Sequence, residues 1–171
     1  MWVATRAEPL LYEHLLVIGP VGGEWWRLLT AQFIYFEGGG AGMYAFVALL
    51  ATGLFGWLLE RRHGPAVVLA LFLGAGVAGA LAASAVYTDP IIVGGNAGAL
   101  ALLCAWAVPD LEALRGGEYR EGDLLGTAAF AVLLLVIPYA RFEVSWLAGV
   151  VGAAIGLVVG LGLTRFAQAE A

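Results

Sequence analysis

Two serines (Ser84, Ser145), two histidines (His14, His63), one cysteine (Cys104) and no lysine are the whole stock for nucleophilic chemistry in this 171-residue chain. A serine hydroxyl attacks a carbonyl only with a base in hydrogen-bond reach, so what matters is which pairs can meet. Ser84 and His63 lie at opposite ends of one apolar stretch, about 30 Å apart along a helix at about 1.5 Å per residue. They do not meet. His14 and Ser145 both read as outer-surface residues, where nothing in the sequence buries or orients them. The missing lysine removes a Ser-Lys pair. An intramembrane aspartyl pair needs two carboxylates inside apolar stretches, and Asp89, Asp110 and Asp123 all fall in breaks. No H-E-x-x-H or comparable ligand spacing exists, so no metal or cofactor is implied. Cys104, inside an apolar stretch, reads as a packing residue.

The elements that would position such residues are set by composition. The chain is 62 % hydrophobic and 12 % charged, where a soluble domain keeps about a quarter of its residues charged. One small globule cannot bury that much apolar side chain, which leaves lipid as the solvent and an all-α, polytopic helical membrane bundle as the fold class. Five stretches are apolar enough to cross a bilayer: Met43 to Leu59, Ala66 to Tyr87, Ile91 to Val108, Leu124 to Tyr139 and Val144 to Thr164. The breaks between them carry charge or proline, and Pro109 and Pro138 read as helix-end residues. Arg61, Arg62, Arg115, Arg120 and Arg165 fall on one side of this plan, and Arg6, Arg27 and Arg141 on the other. The positive-inside rule then puts the C-terminus in the cytoplasm. A net charge of −5 with no basic stripe excludes a nucleic-acid surface.

The N-terminal residues read as an extracytoplasmic surface segment. Pro9 to Ile18 is too short and polar for a span and reads as an interfacial helix, and Trp25 to Phe36 carries five aromatics suited to the headgroup region. A first span lying ahead of Met1 is the other reading. The partition is therefore 1–42 as interfacial segment and loop, 43–165 as a five-span membrane domain, and 166–171 as a cytoplasmic tail. Gly152, Gly156 and Gly160 recur every four residues, making a flat helix face for close backbone approach.

Four landmarks in order give the chain a resemblance: Trp26-Arg27 before Leu-Leu-Thr30, a span ending Gly56-x-x-x-Glu60, Gly94-Gly95-Asn96-Ala97-Gly98 opening a later span, and the last-span glycine repeat. Together they resemble the rhomboid intramembrane serine proteases, over about Glu24 to Arg165. The resemblance implies five to six transmembrane helices and a buried Ser-His dyad, the serine in Gly-x-Ser-Gly and the histidine on the last span. Here those positions are Ala97 and Gly149. The family's tyrosine position is Ala101, and its oxyanion pair falls on Tyr44 and Ala48. Of these, only Tyr44 offers a donor.

The expectation is thus a rhomboid-like scaffold, a pseudoprotease by this count of missing groups, in a prokaryotic plasma membrane, binding the bilayer and transmembrane segments of client proteins. Trp26, Arg27, Glu60, Gly94, Gly95, Asn96, Gly98, Gly152, Gly156 and Gly160 are its structural or partner-binding candidates. Asn96 reads as a helix N-cap or as a donor to freed backbone or a partner. Glu60 reads as a solvated loop charge or as a tie for the end of its span. The glycine-lined faces and the Gly94 to Gly98 opening are the expected client surfaces. The alternatives are an active serine endopeptidase with another nucleophile, and a transport or complex subunit, which would need a polar path that the spans lack.

Overall fold

In lipid a backbone must satisfy its own hydrogen bonds, and helices do so segment by segment. The computed structural model describes residues 14–36, 41–117 and 123–169. Within them lie β1 (Val17–Ile18), a short α1 (Arg27–Thr30) continued by a 3-10 turn (Ala31–Phe33), α2 (Ala41–His63), α3 (Pro65–Val86), β2 (Ile91–Ile92), α4 (Asn96–Arg115), α5 (Leu124–Ala140) and α6 (Trp146–Ala169). Four helices, α2, α3, α4 and α6, are long and apolar enough to cross a membrane. This is an integral membrane protein built as a helical bundle. The 17-residue α5 is apolar but shorter.

Helix α4 is the axis. It touches α2, α3, α5 and α6, and 61 % of its span is buried, against 39 % or less for the others. Small and branched side chains make this possible: Ala97, Ala99, Leu100, Ala101, Leu102, Leu103 and Ala105 are all buried. Between α2 and α3 the chain reverses at Gly64, whose φ of +83° suits glycine, and Pro65 opens α3 at its first turn.

Several sequence expectations change. Ile91 to Val108 is not one helix: Ile91–Ile92 pair antiparallel with Val17–Ile18, Val17 opposite Ile92, and α4 starts only at Asn96. Val17–Ile18 are likewise strand, not the end of an interfacial helix; residues 9–13 of that stretch lie outside the described residues. The two-residue ladder is the one departure from all-α character among the described residues. Pro109 and Pro138 lie inside α4 and α5. Proline removes one intrahelical bond, and at Pro109 the carbonyl that loses its partner belongs to Ala105, which packs against Gly160 of α6.

The segment ahead of α2 is sewn to this bundle. Trp25, Trp26 and Phe33 face outward, while Leu28 and Ala31 pack with Val17, Ala80, Ala83 and Ile92. Thr30 Oγ1 donates to the Leu15 carbonyl at 2.6 Å, and Gly94 N donates to the Ala31 carbonyl at 2.8 Å. These bonds fix the approach to α4, where the family landmark lies.

Candidate functional site

The glycine repeat of α6 meets alanines of α4 at the same four-residue spacing. A β-carbon on Gly152 would collide with the Ala97 carbonyl and one on Gly156 with the Ala101 carbonyl; on Gly160 it would stand 2.9 Å from Ala105 Cα. Helix α3 joins the same crossing: a β-carbon on Gly79 would stand 2.8 Å from the Ala148 carbonyl and 3.0 Å from Ala97 Cβ. Gly98 is closed by Phe72 of α3 in the same way. The seam is therefore filled by the chain's own helices. Gly152, Gly156 and Gly160 are packing residues, and the expectation that this face receives a client is corrected.

Ala97 and Gly149 both lie buried at this crossing. The space beside Gly149 is held by Asn96 and Leu100 side chains. Asn96 is not an N-cap. The cap position is Gly95, with no side-chain cap bond, and Asn96 is the first residue of α4. Its carboxamide is buried, and neither Oδ1 nor Nδ2 has a hydrogen-bond partner.

Gln32 was not singled out from sequence, although it is the one uncharged carboxamide in the aromatic stretch Trp25 to Phe36. It is buried, with Nε2 donating to the Leu28 carbonyl at 3.2 Å while Oε1 has no partner. Its head lies where a β-carbon on Gly76 would fall. Gln32, Asn96, Ala97 and Ser145 line a cavity of about 20 Å³, room for about one water-sized group. The site thus has hydrogen-bonding groups, Ser145 among them, and no histidine lines it.

The remaining candidates are committed elsewhere. Tyr44 Oη donates to the Val93 carbonyl at 3.1 Å and packs on Gly94, whose φ is +81°. Ala48 is fully buried. Gly95 N donates to Tyr35 Oη at 3.2 Å; burial pushes the Tyr35 phenol up, and that bond opposes the shift. Ser84 Oγ donates to the Ala80 carbonyl at 2.8 Å, and Ser145 Oγ accepts from Ala148 N at 3.2 Å at the start of α6. Arg27 pairs with Glu24 at 2.5 Å, and Trp26 meets Trp25 edge-on, rings 6.5 Å apart. Glu60 is exposed on the last turn of α2, as a solvated charge would be. Cys104 is half-buried against the core.

With the crossing in place, the comparison with protein families is decisive: the rhomboid domain matches residues 22–166. The chain belongs to the rhomboid family. The match takes in every landmark named above and all of the helices from α1 to α5, with most of α6. No curated protein matches the chain.

Proposed function

We propose that this rhomboid-family chain is a pseudoprotease that keeps the membrane scaffold and binds transmembrane segments of partner proteins. The observation that carries the reading is the content of the α4–α6 crossing: a methyl at Ala97 and a hydrogen at Gly149, with Asn96 and Leu100 beside the latter. Acyl transfer needs a nucleophile and its base in contact. Neither described serine is hydrogen-bonded to a histidine: Ser84 bonds its own helix and Ser145 caps the next one.

A partner segment is received in this reading beside α5, not on the glycine seam. Leu134 is the only buried residue of α5, while Val132, Leu133 and Val136 face outward. On α2, Phe46, Leu49 and Leu50 are exposed, and Gly53 has open space where a β-carbon would stand. Helix–helix affinity in lipid comes from close packing of this kind. In the same proposal α5 is a fifth span. Its 17 residues reach about 25 Å, slightly short of a hydrocarbon core of about 30 Å. The C-terminus is cytoplasmic and the membrane a prokaryotic plasma membrane.

A photo-reactive residue replacing Leu133, compared with one replacing Val158 on the outward face of α6, tests the reading in native membranes. A discrete protein adduct from position 133 that is absent from position 158 supports it. Lipid adducts alone from both positions count against a client site. Fluorophosphonate labelling of Ser84 or Ser145 would overturn the pseudoprotease assignment itself.

A further inference from the structure

Three elements far apart in sequence bring polar side chains to the small cavity at the start of α4: Gln32 from the 3-10 turn, Asn96 as the first residue of α4, and Ser145, the residue before α6. Two of them are buried with atoms left over. Gln32 Nε2 donates to the Leu28 and Leu73 carbonyls, at 3.2 and 3.4 Å. Those bonds fix the carboxamide so that Oε1 lies against Gly76, without a partner. Asn96 Nδ2 is turned toward Gly149, where a β-carbon would stand 3.1 Å away, and Oδ1, also without a partner, is turned aside from it. Ser145 Oγ accepts from Ala148 N, and a hydroxyl that accepts one bond still has a proton to give.

A buried carbonyl oxygen without a donor loses its hydration and gains nothing in return, and here two such oxygens belong to residues that line one space. Size and charge decide what fits between them. The cavity measures about 20 Å³, above the roughly 10–15 Å³ that a single water requires and far below the room an organic ligand takes. None of the residues lining it is charged, so an ion would be buried there without a counter-charge, at a cost the site does not offset. Water is neutral, and it brings two donors for the two oxygens.

We infer that the cavity binds one water molecule, which donates to Gln32 Oε1 and Asn96 Oδ1 and accepts from Ser145 Oγ. Three bonds are the usual number for a buried water. The water joins the segment ahead of α2, the start of α4 and the start of α6 at one point, and it gives Asn96, which caps no helix, a polar partner.

X-ray radiolytic hydroxyl labelling of the full-length protein in detergent, read by mass spectrometry, tests the inference, because radicals formed from a bound water oxidise the side chains beside it. Val93, Leu16 and Ile34 pack in one cluster and are 2 %, 1 % and 3 % exposed. Of the three, Val93 alone lines the cavity. Val93 is expected to be labelled at least fivefold faster than Leu16 or Ile34, after correction for intrinsic reactivity. Asn96→Leu and Gln32→Met, each close in volume to the residue it replaces, are expected to bring Val93 down to the level of the other two. Equal labelling of the three residues in the unaltered protein, or a fast Val93 that persists in either variant, would overturn it.

Discussion

Gly149 and Asn96 face one another so closely that a β-carbon built on the glycine would stand 3.1 Å from the amide nitrogen. That contact is tighter than an ordinary van der Waals approach, and a full imidazole would extend further in the same direction. The asparagine and the glycine therefore fit as a pair, each occupying room that a histidine would need.

Restoring serine and histidine alone should consequently fail. The A97S/G149H double variant is expected to resist fluorophosphonate labelling, because the imidazole is displaced by Asn96 and Leu100. Adding Asn96→Ala clears part of the path and is expected to raise labelling at least tenfold. Strong labelling of the double variant by itself would show that the amide is no obstruction.

Substitutions along the seam should separate backbone contact from open helix face. Gly156→Ala drives a methyl into the Ala101 carbonyl, and overpacking of this kind costs about 1–3 kcal/mol or more. Gly162, six residues further on the same helix, has nothing within 4 Å, so Gly162→Ala is expected to gain about 0.5–1 kcal/mol from helix propensity. Thermal unfolding in detergent reads both, and equal effects at the two sites would contradict the crossing.

Glu143 is fully buried and bonded by Arg141, whose Nε donates at 2.6 Å, while its second oxygen has no partner. Arg141→Ala leaves an uncompensated buried charge, a loss of about 3–5 kcal/mol. Replacing both by methionine is expected to recover most of that loss. Unfolding of the single and double variants closes the cycle, and additive losses would argue against direct coupling.

Tyr35 supplies a pH-dependent contribution. Its phenol is raised by burial, against the smaller opposing effect of the Gly95 bond. Both states are neutral below the ordinary tyrosine value of about 10, so stability from this group is constant there. It falls as pH rises above that value, because the buried phenol resists ionisation while the unfolded one does not. Melting from pH 8 to pH 11 should show a slope that Tyr35→Phe reduces.

How far the fold was legible follows from what each signal averages over. Apolar length and the i+4 glycines involve many residues, so the spans and the seam of α6 could be read directly. The partner of the seam could not, because alanines are common throughout the chain and nothing marks Ala97, Ala101 and Ala105 as the facing row. The ladder was invisible for the opposite reason: two residues per strand carry no alternation, and Ile91–Ile92 read as the start of an apolar span. Asn96 was misplaced by local logic. A polar residue before a helix is ordinarily a cap, but here Gly94 and Gly95 are bonded to Ala31 and Tyr35, and the helix begins at Asn96 itself, one residue earlier than a cap there would allow. Gln32 needed the α3 backbone beside it, at Gly76, before its burial could be recognised.

The pairing of Val17 with Ile92 joins positions 75 residues apart. Such a closure waits on distant chain: when Val17 emerges from the ribosome, its mate has not been synthesised, and two spans must be threaded into the bilayer first. Assembly of this protein therefore has a built-in sequence of events, with helices inserted early and the two-strand seal made late. Until α4 is in place, the Trp25 to Phe36 aromatics have only the membrane surface to rest on.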